Sequence, residues 1–214
     1  LGVSAGFHDA ALAVVSPRGE ILFAGHSERY SKKKNDADLC NGIAQEIFGM
    51  NIGTVAYYER PWLKQLRQVY SGQGIEWNKI TTCQILRQQL RPFFLGGVKV
   101  QSFNHHLSHA AGGFQTSPFD RATVVVIDAI GEWDATTLWE GHGDSLRCVA
   151  STRYPNSLGL FYTAMTDRCG FKPNEEEYIM MGMAGYGEPK HYAKMHYDLI
   201  KDGVDIFGVT GNYV

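Results

Sequence analysis

Residues 123–139 read TVVVIDAIGEWDATTLW. Thr123 to Ile127 is an apolar run rich in β-branched residues, ended by Asp128. A turn follows at Gly131, and Ala135 to Trp139 forms a second run closed by GHGD at 141–144. Runs of this length bounded by turn residues read as strands. The chain opens on the same pattern. LGVSAGFHDAALAVV at 1–15 gives a strand, a tight turn at Gly6 with His8-Asp9 just past it, and a second strand. The repeat is clearer in pattern than in residues, and it predicts two related α/β lobes with a cleft between them. The lobe boundary is expected near Ser117-Pro118-Phe119, separating 1–118 from 119–214.

Between these two segments the reading is ordinary α/β. Pro17-Arg18-Gly19 marks a hairpin turn, and Glu20 to Ala24 a third strand. SERYSKKKNDADL at 27–39 reads as a polar loop with a basic knot at Lys32, Lys33 and Lys34. Asn41 to Gly49 is predicted to be a short helix and Thr54 to Tyr58 a strand. Pro61 opens a helix with Trp62, Leu66 and Val69 on one face. Ile80 to Leu90 has helical spacing. Val98 to Phe103 reads as a strand, and a helix opens near His105.

Composition narrows the class. The chain has 214 residues, with 44% hydrophobic and 20% charged. That is ordinary globular usage and allows one domain or two small lobes. Lys plus Arg is 20 and Asp plus Glu is 22, for a net charge of −2. This gives no case for a general nucleic-acid or membrane-surface binder. No apolar run approaches the roughly 20 residues of a membrane span. The start lacks the charged n-region of a signal peptide, and Leu1 in place of methionine reads as a processed, trimmed or excised chain. Cys40, Cys83, Cys148 and Cys169 are far apart with no CxxC pair. They are expected to be free thiols in a reducing compartment, and the location cytoplasmic.

Four features can carry chemistry. HHLSHAA at 105–111 places His105 and His109 four apart, on one face of a helix. Two neutral imidazoles on one face can bind a first-row metal, with Asp128 able to supply an oxygen. Spacing alone also allows partly buried polar histidines and a turn-capping aspartate. Gly6-Phe7-His8-Asp9 exposes backbone N–H groups that can cradle a phosphate, or is a plain turn. Gly131-Glu132 has the same two readings. The Lys32–Lys34 run is either a solvated loop or an anion contact. FKPNEEEYIMMGMAGYGEP at 171–189 sets three acids before a glycine-punctuated run. The acids suit a helix N-terminus. Gly182, Gly185 and Gly187 would permit close approach of a ligand to the backbone, or simply build a loop.

Taken together, these stretches resemble the carbamoyltransferase family of the nodulation and antibiotic O-carbamoyltransferases. The resemblance rests on SAGFHDAALAVV (4–15), SERYSKKKNDA (27–37), YYERP (57–61), NHHLSHAAGGFQTSPFDRATVVVIDAIGEWDATTLW (104–139) and PNSLGLFYTAMTDRCGFKPNEEEYIMMGMAGYGEP (155–189). It implies an actin/Hsp70/sugar-kinase-type (ribonuclease H-like) fold of duplicated lobes, the second incomplete here, similar to the tRNA threonylcarbamoyladenosine transferase domain. It implies an enzyme that moves a carbamoyl group to a hydroxyl of a small acceptor. The donor is a carbamoyl adenylate, made from carbamoyl phosphate and ATP by a second, C-terminal domain. It further implies His105, His109 and Asp128 at a divalent metal, usually iron. His8 and Asp9 would act in transfer, and Lys34, Gly131, Glu132, Glu177, Gly182 and Gly185 would lie along the substrate and nucleotide. A later aspartate at the metal and the activating domain, in the same product or a partner chain, would lie beyond Val214. A sheet edge and apolar surface left open would favour a partner or self-association.

The sequence departs from the family pattern at several points. Lys34-Asn35-Asp36 stands where Lys-His-Asp is usual, and Asp128-Ala129 where Asp-Gly is usual. Asn174-Glu175-Glu176-Glu177-Tyr178-Ile179 replaces Asn-Ser-Gly-Glu-Tyr-Lys, and Ala184-Gly185-Tyr186-Gly187 replaces Ala-Pro-Tyr-Gly. These changes bear on the nucleotide contacts more than on the metal residues. They keep a second reading open, a reduced nucleotide-binding or regulatory relative without turnover. A sugar-kinase-type phosphotransferase is disfavoured, because such an enzyme has no need of the paired histidines.

Overall fold

The computed structural model of the chain describes residues 1–90, 97–188 and 190. Pro189, which ends the quoted 155–189 stretch, and the part of the expected second lobe past residue 190 lie outside the described residues. The protein is mixed α/β. Its internal contacts group into two units, Leu1–Ser108 and His109–Val214.

The first unit is a five-stranded sheet. Strand β1 (Gly2–Ser4), β2 (Ala11–Val15) and β3 (Ile21–His26) form an antiparallel meander, followed by the one-turn helix α1 (Glu28–Ser31) and α2 (Asn41–Glu46). Strand β4 (Thr54–Tyr57), helix α3 (Pro61–Tyr70), helix α4 (Thr82–Gln89) and strand β5 (Lys99–Ser102) complete it. The sheet order is β3-β2-β1-β4-β5, with β1, β4 and β5 parallel. Helix α1 falls inside the stretch expected to be all loop. Strand alternation sends Val3, Leu12, Val14, Val55 and Tyr57 to one face, where they meet Ile43 and Ile47 of and after α2 and Ile85, Leu86 and Leu90 of and after α4. Each fully buried large aliphatic or aromatic side chain contributes about 1.5–3 kcal/mol. Helix α4 starts on a capping box, in which Thr81 and Gln84 satisfy each other's backbone N–H groups.

The Gly6 turn is required by two constraints. Its φ is +91°, and a Cβ there would sit 2.9 Å from Ile85 Cγ2. Its N–H donates to Ala37 O at 2.7 Å, tying the turn to the 27–39 segment.

Trp62, Leu66 and Val69 share a face of α3 as their spacing predicts, yet that face is about half exposed, at 51%, 54% and 48%. The buried side carries Gln65 and Arg67 instead. Gln65 Oε1 accepts from Glu76 N at 2.8 Å, while its Nε2 is buried without a hydrogen-bond partner among the described residues.

The second unit carries another antiparallel meander: β6 (Arg121–Gly131), β7 (Asp134–His142) and β8 (Ser145–Arg153). Helix α5 (His105–Gln115) precedes it, and the division between the units falls inside this helix. Helices α6 (Leu158–Arg168) and α7 (Glu177–Ala184) follow. Phe114 of α5 lies on Gly141 of β7 so closely that a Cβ there would be 2.8 Å from the ring. Strand β6 does not end at Asp128 as the apolar run suggested. It runs on to Gly131 along one edge of its sheet, with Val125 and Ile127 48% and 59% exposed. Among the described residues, no helix is long and apolar enough to cross a membrane. All four cysteines are free thiols.

Candidate metal centre

The parallel strands of the first unit deliver polar residues at their carboxyl ends. β1 runs into the Gly6–Asp9 turn, β4 into Glu59, and β5 into Asn104 and His105. Loops at this end of parallel strands are where α/β proteins commonly build sites. Asn104 Oδ1 accepts from Leu107 N at 2.9 Å, which caps α5. Ser108 Oγ donates to Tyr58 O at 2.7 Å and fixes the helix to the end of β4.

Helix α5 then presents His105 and His109 one turn apart. His105 is buried and His109 exposed. His106, a residue round the helix, is fully buried and is not part of the donor cluster. Asp128 comes from β6 at a bulge: Ile127 pairs with Thr136 and Gly131 with Asp134, so residues 128–130 stand opposite Ala135 alone. A bulge of this kind re-aims side chains out of the strand alternation. In the second unit His109 and Asp128 line one pocket with Gly113 and Val124–Ile127, a ligand atom of each within 4.8 Å of the other, and His105 stands one turn before His109 on the same helix. Two imidazole nitrogens and one carboxylate oxygen suit a divalent first-row metal, so the donor set fits the expected group.

Asp128 and His105 are held from behind. Asp128 Oδ1 accepts from Ala129 N at 2.7 Å. Ser157, the N-cap of α6, has a hydroxyl 2.7 Å from Ala129 O and 3.1 Å from Asp128 O, and the same oxygen accepts from Leu160 N at 3.1 Å. Gly159 lies against this backbone: a Cβ on it would be 2.6 Å from both Ala129 N and Cα. His105 Nδ1 is 3.1 Å from Glu59 Oε2, and Lys64 Nζ is 3.2 Å from Glu59 Oε1. Burial works to raise the Glu59 carboxyl, but the His105 hydrogen bond and the Lys64 charge outweigh it and hold it below the usual carboxylate range. Burial in turn lowers the Lys64 ammonium, with Glu59 opposing. Lys64 also stands 3.4 Å over the Phe7 ring.

The other expected site residues lie as follows. His8 and Asp9 occupy the β1–β2 turn, with His8 Nδ1 3.1 Å from Asp9 Oδ2 and Asp9 at φ +48°. Lys34 is exposed in the loop after α1. Gly131 and Glu132 are buried at the β6–β7 turn, Glu132 at φ +59°. Glu177 stands in the first turn of α7, where Oε1 accepts from Asn174 N at 2.6 Å and Thr163 Oγ1 at 3.1 Å. Gly182 is inside α7 and Gly185 at its C-cap, both exposed, so the glycine-punctuated run is largely helix. Glu59, Ser157 and Gly159 were not singled out from the sequence. The one available signal was Glu59 itself, a carboxylate set between an apolar strand and a proline-initiated helix.

A family model described as carbamoyltransferase N-terminus matches residues 48–209. An uncharacterised protein of Synechocystis sp. (strain ATCC 27184 / PCC 6803 / Kazusa) is 37% identical over 95% of this chain and 36% of its own length. Nodulation protein NolNO of Sinorhizobium fredii is 28% identical over 92% of this chain and 31% of its own. Nodulation protein NolO of Bradyrhizobium diazoefficiens is 35% identical over 47% of this chain and 19% of its own. The chain therefore spans about a third of the length of the first two relatives. With most of its residues inside the matched region, the chain belongs to the carbamoyltransferase N-terminal family.

Proposed function

We propose that this chain is the metal-holding, acceptor-side part of an O-carbamoyltransferase, which passes a carbamoyl group from carbamoyl adenylate to a hydroxyl of a small molecule. The observation that carries this reading is the His105–His109 pair one turn apart on α5, with Asp128 within 4.8 Å of His109 in the second unit. The fold is read as the actin/Hsp70/sugar-kinase type with lobes 1–118 and 119–214, supported by the two antiparallel meanders. Carbamoyl phosphate and ATP are the primary substrates. The adenylate forms on a C-terminal domain or partner chain, consistent with relatives about three times as long.

His105, His109 and Asp128 would hold a divalent metal, iron by resemblance. Such an ion supplies Lewis acidity that offsets negative charge developing on substrate oxygens. His8 is the base. The hydrogen bond from its Nδ1–H to Asp9 leaves Nε2 to take the acceptor proton. The acceptor oxygen bonds to the carbamoyl carbon, the bond from that carbon to the adenylate phosphate oxygen breaks, and AMP leaves. Lys34, the Gly131–Glu132 turn and the 177–187 segment bind the nucleotide phosphate and its surroundings.

The test is His109→Ala, chosen because the side chain is exposed. The intact protein is assayed for bound metal, and for AMP formed from ATP, carbamoyl phosphate and a panel of sugars, aminoglycosides and nucleosides. Loss of metal and of acceptor-dependent AMP, with the fold intact, is expected. Retention of both refutes the assignment. The departures from the family pattern at Asn35 and Ile179 favour a second reading, nucleotide binding without turnover. Tight ATP binding with no acceptor-dependent AMP in the intact wild type would decide for it.

A further inference from the structure

We propose that Glu59 is a positioning residue for the metal centre: it sets the tautomer and ring orientation of His105, with Lys64 holding the carboxylate in place. The inference rests on the reading of His105, His109 and Asp128 as metal ligands. It is drawn from a buried charge pair that the fold alone does not explain. Glu59 is 1% exposed and Lys64 13% exposed at their side chains, and Glu59 follows directly on the apolar cluster that contains Val55 and Tyr57. A buried ion pair replaced by apolar residues is often neutral or stabilising, so its presence asks for another reason.

The geometry supplies one. The Lys64 ammonium is on Oε1, at 3.2 Å, and the His105 ring is on Oε2, at 3.1 Å. A carboxylate beside an ammonium can only accept, so the bond to His105 requires the proton on Nδ1. The lone pair is then on Nε2, the other ring nitrogen, which becomes the ligating atom. Tyr58, the preceding residue, stands edge-on to the His105 ring at 5.3 Å between centroids and limits its rotation. Ser108 Oγ on Tyr58 O keeps the helix carrying the histidine in register with the strand end carrying Glu59. Carboxylate–histidine pairs behind a metal act in this way, and their loss commonly costs about 10- to 100-fold in metal affinity.

The experiment uses the intact protein, Co(II) as the probe, and the variants Glu59→Gln and His105→Ala. The amide keeps the shape but can turn its NH₂ toward Nδ1 and reverse the tautomer. Wild type should bind Co(II), and Glu59→Gln should bind about 10- to 100-fold more weakly with an altered d–d absorption, approaching His105→Ala. Long-range ¹H–¹⁵N spectra of the metal-free wild type should show His105 protonated on Nδ1, a state that Glu59→Gln depletes. If Glu59→Gln alone does not fold, the double variant Glu59→Gln/Lys64→Met removes the ammonium left without its carboxylate. Equal Co(II) affinity and spectra in wild type and Glu59→Gln overturn the positioning role and leave the metal reading standing. An Nε2–H tautomer in metal-free wild type also overturns the positioning role and needs no variant. Failure of the wild type to bind Co(II) overturns the metal reading, and this inference falls with it.

Discussion

Replacing Gly159 with alanine tests whether α6 holds Asp128. Gly159 is the second residue of α6, where alanine is intrinsically the better residue by roughly 0.5–1 kcal/mol. No left-handed φ forbids the substitution. Steric contact is therefore the whole of the opposing effect. The new methyl would lie 2.6 Å from Ala129 N and Cα and 2.8 Å from the Asp128 carbonyl carbon. Ordinary contact begins at 3.4 Å, so relief takes about 3.4 − 2.6 = 0.8 Å of movement. The atoms met are backbone atoms, which cannot rotate away as a side-chain end can. Either α6 retreats and weakens the Ser157 hydrogen bonds, or the bulge moves and takes Asp128 with it. Overpacking of this kind costs about 1–3 kcal/mol. The helix-propensity gain offsets less than half of the upper figure. Urea unfolding should show the loss as a lower midpoint with an unchanged slope. Co(II) titration of the same protein should show weaker binding. Gly112→Ala is the control: it sits in α5 with open space around its would-be Cβ, and should be neutral or mildly stabilising. Wild-type stability and Co(II) affinity in Gly159→Ala would refute the view that this close approach fixes Asp128.

Two further substitutions probe the supports of each unit. Ser157→Ala removes the cap of α6 and the hydroxyl proton shared by the Ala129 and Asp128 carbonyls. It should cost about 0.5–2 kcal/mol in urea unfolding, and a loss indistinguishable from zero would show that the cap carries nothing. Tyr57→Phe removes the buried hydroxyl that donates to Ala5 O at 2.6 Å beneath the His8 turn. It should cost about 1–3 kcal/mol, because the carbonyl is left without that donor in a dry core, and a stability equal to wild type would mean Ala5 O finds another donor.

The sheet and the donor set were unevenly legible in the sequence. The strand–turn–strand segments at 1–15 and 123–139 could be read because apolar runs and turn glycines are local features. Gly6 shows this directly: its neighbours on both sides are apolar strand and its φ is +91°. Strand β8 was not read. LRCVASTR offers no clean alternation, since this strand lies on a sheet edge with Arg147, Cys148 and Ser151 exposed. The α3 stripe gave the helix correctly while hiding which side is buried. That side is set by Lys64 meeting Glu59 and Gln65 meeting Glu76, and no hydrophobic count registers such pairs.

The donors and their supports differ in the same way. His105 and His109 announce themselves by i,i+4 spacing, and Asp128 by its place at the end of an apolar run. Their supports are long-range. Glu59 lies 46 residues from His105, and Ser157 lies 28 and 29 residues from the carbonyls it holds. Nothing local distinguishes a supporting Glu or Ser from any other. Yet these contacts fix two of the three donors. A helix alone would bring two imidazoles to one face, and an unbulged strand would carry Asp128 along with the alternation of β6. The bulge moves the aspartate out of that alternation, α6 fixes the bulge by one hydroxyl and one glycine, and the Glu59–Lys64 pair fixes the first imidazole. A sequence search for this centre should therefore look for Glu after the fourth strand and Ser-x-Gly at the sixth helix, together with the histidine pair, because a chain with the pair and without these supports would place its donors less firmly.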